Sequence, residues 1–412
     1  MSQTPVQKCK VYPTPDFALR WAHASQPLKI NLVLPHQLPF PPTRGGGVEN
    51  LNWLLALEFV RRGHEVVAYS RATDGLAVRE SDARGIRHVR VKGYDRHPNR
   101  WIDHLNGLRY ARRLLPVMEP ADVTSFHTPF SFLLRRKRDI GVCTHTIHRT
   151  PKWPVPLYRG LDRVYCGSDA VVTQALAVDQ SILNLKRVHN CIDASRQPPA
   201  MPRGDRAGLL FLYVGRFVAD KGIESLIKGF EIALRDFPEN HLQTLGPQVG
   251  EAGGDTAFFQ RMSRYLVPHG LERKVDFLPP VFDKAILNAQ IAAADVICVP
   301  SLSGETFSMA ILEAMALGKP VLVSDFSPMP EAVDHELTGY VARAGDAASI
   351  ADGMRFFSAH PDRLAAIGAQ GLEKVRLCFS VEKIGGEYLE DFEALVAARR
   401  GARSCSAGFE AR

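Results

Sequence analysis

The 412-residue sequence predicts an α/β protein built as two parallel-sheet domains that face each other across a cleft. Two observations carry this. Short apolar stretches alternate with amphipathic stretches of helical period, the pattern of strands covered by helices on both faces. That alternation fades over residues 193–208 (DASRQPPAMPRGDRAG) and then restarts, so a Pro/Gly/Arg linker divides the chain into halves of similar size. Sheets of this kind bind ligands outside the carboxyl ends of their strands.

Residues 1–27 contain prolines and no clear period, and read as an appended arm. Ile30–Leu34 is the first strand. Val48–Arg62 is a helix, because Leu51, Leu54, Leu55 and Phe59 share one face and Gly63 stops it. Strands follow at Glu65–Tyr69 and His88–Val91, then a long helix near Arg100–Leu115, then strands at Val123–Phe126, Ile140–Ile147 and Val164–Cys166. Beyond the linker the strands are Leu209–Val214, His241–Leu245, Val275–Leu278, Val296–Val299 and Val321–Ser324. The intervening helices are Ile223–Arg235, Phe258–Val267, Ala285–Ala293 and Phe307–Ala316. A last helix, Val381–Ala398, has no evident place in the second sheet. The domain division expected is 28–195, 206–380, a helix over 381–400 and a tail over 401–412.

Composition sets limits. With 45% hydrophobic and 23% charged residues the chain falls in the globular range, which excludes disorder, collagen and coiled coil as global descriptions. No apolar run approaches the roughly 18 residues of a transmembrane helix. Residues 1–20 lack a secretory h-region, so a cytoplasmic location is expected. The seven cysteines are scattered with no C-x-x-C, which leaves a disulfide framework or zinc site without support. Residues 1–200 carry 29 Lys+Arg against 16 Asp+Glu, a net +13, and the remainder carries 22 against 28, a net −6. A basic first half suits an anionic partner, namely a phosphorylated substrate or an acidic membrane surface. The alternative is a solvated Arg-rich face. Nucleic acid is not expected, since no aromatic-basic recognition module is present.

The motifs narrow the chemistry. Gly45-Gly46-Gly47 precedes a helix, but Asn50 stands where G-x-G-x-x-G needs glycine, so a dinucleotide fingerprint is not supported. There is no P-loop, and no D-x-D to clamp a metal on a diphosphate. His145 and His148 are three apart in a strand, hence on opposite faces. Gly215-Arg216 through Lys221-Gly222 ends a buried strand and opens a helix, placing two cations at a sheet edge where a diphosphate needs them. Pro300 through Val321 ends a strand and begins a helix near Thr306, whose free N–H groups make an anion site. Glu305 sits at its mouth, and Glu313 lies eight residues on, about 12 Å along a helix axis.

The pair G-R-x-x-x-x-K-G and E-x7-E, about 90 residues apart, resembles the retaining family 4 glycosyltransferases of the GT-B fold. Gly46-Gly47-Val48-Glu49, His127, Asn190-Cys191-Ile192-Asp193 and Phe379-Ser380-Val381-Glu382 extend the resemblance over about residues 28–398. It implies two Rossmann-like domains with a final helix crossing back onto the first. It implies transfer of a sugar from a nucleotide-diphosphate donor, UDP-linked in this reading, to an acceptor hydroxyl. The setting expected is synthesis of a cell-surface polysaccharide or glycoconjugate. No cofactor or metal is expected. Arg216 and Lys221 would neutralise the leaving diphosphate, with Gly215 in the turn. Glu313 would take the donor ribose. Glu305 would hold the transferred sugar, with Thr306, Phe307 and Ser308 close to sugar or phosphate. Gly46 and Gly47 would admit phosphate and acceptor, and His127 would contact sugar or acceptor. A lipid-linked or polyanionic acceptor is expected, with the first domain touching an anionic membrane surface through Arg109, Arg112, Arg113 and Arg135–Arg138. A GT-B epimerase, a phosphorylase or a catalytically silent sugar-nucleotide-binding protein would share many of these residues. The chain departs from the family at Ser125, at Cys191 and after Gly246, where a Gly-rich loop is replaced by Pro247.

Overall fold

The computed structural model describes residues 26–97, 99–128, 132–149, 156–195, 206–250 and 253–410. Most of the expected arm and linker lie outside them. The first half runs β1 (Lys29–Val33), α1 (Gly47–Arg61), β2 (Glu65–Arg71), β3 (Arg79–Ser81), β4 (Arg87–Val91) and α2 (Arg100–Leu114). It continues through β5 (Val123–Phe126), β6 (Val142–Ile147), β7 (Arg163–Cys166), α3 (Asp169–Val178) and β8 (Leu185–Arg187). The strands form one sheet in the order β3-β4-β2-β1-β5-β6-β7-β8, parallel except for β3 against β4. The sequence did not foretell β3 or β8. Each is three residues of mainly charged, part-exposed side chains at a sheet edge, so neither has an apolar run to read.

The second half runs β9 (Leu210–Val214), α4 (Ile223–Ala233), β10 (His241–Leu245), α5 (Thr256–Leu266), β11 (Val275–Leu278) and α6 (Lys284–Ala293). It then runs β12 (Val296–Val299), α7 (Met309–Ala316), β13 (Val321–Ser324), α8 (Met329–Ala332), β14 (Gly339–Ala342), α9 (Ala347–Ala359), α10 (Leu364–Cys378) and α11 (Val381–Glu410). Its six strands are all parallel, in the order β11-β10-β9-β12-β13-β14.

Alternation along each strand fills both faces. In the first sheet Ile30, Leu32, Val66 and Ala68 meet α1 and α11, while Val33, Val67, Tyr69 and Phe126 pack with Tyr110 and Leu114 of α2. In the second, Phe211, Leu242 and Cys298 face the α4 side, and Leu212, Ile297 and Val323 face α7. The chain therefore has the expected architecture of two parallel sheets with a helix returning to the first. That helix, α11, is capped at its start by Ser380, whose hydroxyl accepts from Lys383 N at 3.3 Å. It extends to Glu410 rather than ending near residue 400, so its last turns replace the tail that was expected.

Two strands of chain cross between the halves side by side. Ile192 N donates to the Phe379 carbonyl and Val381 N to the Ile192 carbonyl, both at 3.0 Å. A second tie comes from Glu331 in α8, whose carboxylate accepts from Asp169 N and Ala170 N at 3.1 Å each. A carboxylate of one domain thus caps a helix start of the other, the favourable end of that helix's dipole for an anion.

Candidate functional site

The carboxyl edges of the two sheets open onto a shared cleft of about 360 Å³. The first domain contributes Gly47, Val48, Leu51, His148 and Asn190, and the second contributes Gly215, Arg216, Lys221 and Ser301 with residues 304–310.

The cationic side is built from β9 outward. The Tyr213 hydroxyl donates to the Arg216 carbonyl at 2.8 Å and pins the turn after the strand. Gly222 closes that turn at φ 72°, and a Cβ there would lie 1.9 Å from the Pro300 carbonyl oxygen. Glycine therefore lets this loop seat against the end of β12. Leu302 N donates to the Asp220 carbonyl at 2.8 Å, knitting the two motif loops together. Lys221 Nζ donates to Glu305 Oε1 at 2.5 Å, and the Ser301 hydroxyl donates to the same oxygen at 3.2 Å. Arg216 has no ion pair or side-chain hydrogen bond among the described residues, so it presents an uncompensated charge to the cleft.

The helix behind Glu305 starts later than expected. Its first residue is Met309, with Ser308 as N-cap, and Thr306 and Phe307 belong to the segment before it. Glu305 and Glu313 are therefore not eight residues apart along one helix axis. Three contacts hold that segment in place. The Phe307 carbonyl accepts from Asn190 Nδ2 at 2.8 Å, and its ring lies 4.7 Å from His189 and 5.2 Å from Phe379. Ser308 makes no side-chain cap. Helices α2, α3, α5, α6 and α9 are capped by Asn99, Ser168, Asp255, Asp283 and Asp346. The start of α7 thus opens onto the cleft with its first N–H groups uncapped, an arrangement that favours an anion. Glu313 lies outside the cleft lining and pairs with Lys284 Nζ at 2.6 Å.

On the other wall, Gly47 starts α1 and comes within 3.8 Å of Met309, measured from the Cβ position. Gly46 stands just outside the lining at φ 105°, and Glu49 Oε2 occupies the space a Cβ would need. Glu49 is buried, which pushes its carboxyl up to about 7, partly offset by its own backbone N–H. Back on the cationic side, Gly246 abuts the turn after β9, for a Cβ there would fall 1.9 Å from the Gly215 carbonyl oxygen.

His127 does not line the cleft. It is 8% exposed and stands behind His148, with Nδ1 2.7 Å from His148 Nε2 and Nε2 3.2 Å from Ser125 Oγ. Burial lowers both imidazoles, His148 to about 3, with neighbouring histidines adding to the effect. His148 was missed in the sequence because it was read inside a strand. The strand stops at Ile147, so His148 follows β6 by one residue, as His127 follows β5. That shared position at the strand end was the available signal. His145 lies within the strand and stacks on Tyr158 at 5.5 Å.

Of the expected basic surface, Arg109, Arg112, Arg135 and Arg138 are exposed, whereas Arg113, Arg136 and Lys137 are tied to the fold. Leu114 is buried, Arg113 donates to the Lys92 carbonyl, Arg136 to those of Leu115 and Met118, and Lys137 pairs with Asp162. The outward stripe of α2 joins Arg109 and Arg112 to Trp101, Ile102 and Leu105. Trp101 is 79% exposed. Asp103 ties the start of α2 to Gln37 in the loop after β1, at the cleft-facing edge of the sheet. Among the described residues no group of three or more His, Cys, Asp or Glu is placed to hold a metal, and no helix is long and apolar enough to cross a membrane.

Residues 205–374 match the family described as Glycosyl transferases group 1, and residues 45–196 match Glycosyltransferase Family 4. The chain is 24% identical to a D-inositol 3-phosphate glycosyltransferase of Saccharomonospora viridis, over 91% of this chain and 96% of that protein. It is 28% identical to a phosphatidyl-myo-inositol mannosyltransferase of Mycobacterium leprae, over 44% of this chain and only 47% of that protein. Its fold matches Anabaena Alr3699/HepE, solved in complex with UDP-glucose, at TM-score 0.69 and 16% identity, over 89% of this chain and 100% of that one.

Proposed function

This chain belongs to glycosyltransferase family 4, and from that premise we propose that it transfers a sugar from a nucleotide-diphosphate donor, UDP-linked, to an acceptor hydroxyl with retention of anomeric configuration. The observation that carries the reading is one cleft holding Arg216, which has no ion pair among the described residues, the Lys221–Glu305 pair and the uncapped start of α7.

The roles follow from charge. The donor diphosphate is attracted to Arg216 and to the first N–H groups of α7. As it arrives, Lys221 exchanges part of its contact with Glu305 for phosphate, and Glu305 is released to accept hydrogen bonds from the sugar. Glu313 takes the ribose by exchange with Lys284, whose side chain is half-exposed and can swing away into solvent. Fixed cations aimed at the leaving phosphate stabilise the charge that develops there. They do so without a metal ion in this proposal. The test is a panel of UDP-, GDP- and ADP-sugars followed by transfer and slow donor hydrolysis, with the anomeric configuration of the product read by NMR. Turnover of a UDP-sugar that persists in EDTA is expected. Activity lost in EDTA and restored by Mn²⁺ or Mg²⁺ would overturn the metal-free reading, and turnover of none of the panel would overturn the donor class.

For the acceptor we propose a phosphorylated or lipid-linked polyol or glycan at an anionic membrane surface, serving cell-surface glycoconjugate synthesis. Both relatives are named for inositol phosphates or their lipids, and the start of α2 is tied to the loop after β1, at the cleft-facing edge of the first sheet. Trp101, Ile102 and Leu105 offer apolar contact, and basic side chains add about 1 kcal/mol each near such a surface. Binding to phosphatidylglycerol vesicles should appear at low salt, weaken as the screening length shortens, and drop in Trp101→Ala. No binding at low ionic strength would leave a soluble acceptor.

A further inference from the structure

Helices α1 and α7 start face to face. A Cβ placed on Gly47 would lie 3.8 Å from Met309 Cγ, and both residues line the cleft with Arg216. An anion drawn to Arg216 and to the first N–H groups of α7 therefore borders the start of α1 as well. A carboxyl group already stands there. Glu49, in the first turn of α1, is 4% exposed and folds back on its own helix start, with Oε2 in the space a Cβ on Gly46 would need. It makes no ion pair among the described residues, and its one partner is its own backbone N–H. Resting on the reading above, we propose that the donor diphosphate binds together with one proton, which Glu49 takes up from solvent.

Two negative charges that share a space closed to water repel unless one is neutralised. The diphosphate keeps its charge, because a diphosphate diester stays ionised at neutral pH and Arg216 and Lys221 face it. Glu49 has no cation beside it, so its carboxylate is the group that gives way. Carboxylate and proton form a neutral carboxylic acid, and the start of α1 then turns its N–H groups to phosphate. Without ligand the carboxylate serves as the cap that α1 otherwise lacks, since the N-cap is Gly46 and makes no side-chain bond. Burial pushes this carboxyl up to about 7 before any ligand arrives, with its own N–H opposing. The charged groups on the surrounding elements do not contribute. On the loop before α1 these are His36 and Arg44. Behind that loop, on β4, Arg90 is paired with Glu80 and His88 with Asp82. Across the cleft stand Arg216, Lys221 and Glu305, and at the far end of α1 Arg61 and Arg62 are bound to Glu58. Burial lowers the imidazoles of His36, His127 and His148, which takes them away from neutral pH.

The sign follows from linkage. Bound diphosphate lifts Glu49 above its free value, so protons are taken up on binding and affinity falls as pH rises through the free value. UDP-glucose is titrated into the wild type and Glu49→Gln at pH 6, 7 and 8, with GDP-glucose and ADP-glucose alongside. Calorimetry in buffers of differing ionisation enthalpy counts the protons. The wild type is expected to take up almost none at pH 6, about half a proton at pH 7 and more at pH 8, with Kd rising by up to about tenfold per pH unit above 7. Glu49→Gln keeps the shape without the charge. It should take up none, match the wild type at pH 6 and bind more tightly than the wild type at pH 8. Absence of wild-type uptake at pH 7 and 8 overturns the inference whether or not the variant folds. So does uptake that persists in a folded Glu49→Gln, or Glu49→Gln binding no tighter than wild type at pH 8. A wild type that binds none of the three nucleotide sugars would instead overturn the functional reading on which it rests.

Discussion

Arg216→Ala and Lys221→Ala are each expected to reduce kcat/KM for transfer by about 10- to 150-fold, the loss of a charge-assisted contact worth roughly 1.5–3 kcal/mol. The two should differ. Arg216 has no protein partner among the described residues, so its removal takes away attraction for phosphate and little else. Lys221 compensates Glu305 at 2.5 Å, and the exposures of the two side chains are 16% and 17%. Its loss leaves a half-buried carboxylate held by Ser301 beside the phosphate site, adding repulsion to lost attraction. Lys221→Ala should therefore be the more damaging, and Glu305→Gln in that background should recover part of donor binding while leaving transfer low. Steady-state kinetics with a UDP-sugar, alongside thermal unfolding of each variant, measures this. Wild-type turnover in both alanine variants, with folding intact, would remove these residues from the diphosphate site.

The sequence shows what repeats at short range and hides what depends on where a backbone stops. β1, β9, β12 and β13 were legible because short runs rich in Ile, Leu and Val must be buried on both faces of a parallel sheet. The motif loops were legible because glycine beside a cation at a strand end has few structural uses, and Gly222 against Pro300 shows one of them. The start of α7 was misjudged by three residues, since apolar Phe307 continues the helical pattern although it is packed against His189 and Phe379. One residue of strand length likewise concealed His148. The Lys284–Glu313 pair joins side chains 29 positions apart in sequence, and no local pattern announces it. The exposed face of Trp101 was not legible, because its exposure depends on how α2 lies against the sheet.

Helix α11 is expected to be the most sensitive structural element, and Phe392→Ala its most damaging single change. Phe392 is 1% exposed and lies 6.0 Å from Phe59 of α1, 6.2 Å from Tyr165 of β7 and 5.9 Å from Tyr388, all between ring centroids. Truncation there removes transfer energy and leaves a cavity between helix and sheet, about 3–5 kcal/mol by analogy with buried aromatic residues. The neighbouring Asp391 gives the same contact a charged component. It accepts from Arg163 at 2.9 and 3.1 Å, from Lys186 at 3.0 Å and from the Tyr165 hydroxyl at 2.8 Å. Burial pushes its carboxyl up, but these hydrogen bonds outweigh burial and hold it below the usual value. A carboxyl lowered in the folded state contributes its full stability above the unfolded value of about 3.9 and loses it as pH falls through the folded value. Asp391→Ala should thus cost about 2–3 kcal/mol at pH 7, less than a fully buried pair because Arg163 and Lys186 still reach solvent. That gap should narrow below about pH 4, whereas the cost of Phe392→Ala should remain. Denaturant titrations of both variants at pH 7, 5, 4 and 3 make the comparison, and hydrogen exchange should place the loosened amides in β1, β7 and α1 rather than in the second sheet. An Asp391→Ala penalty that is absent at pH 7, or that stays constant down to pH 3, would show that the helix is held to the first domain by apolar packing alone.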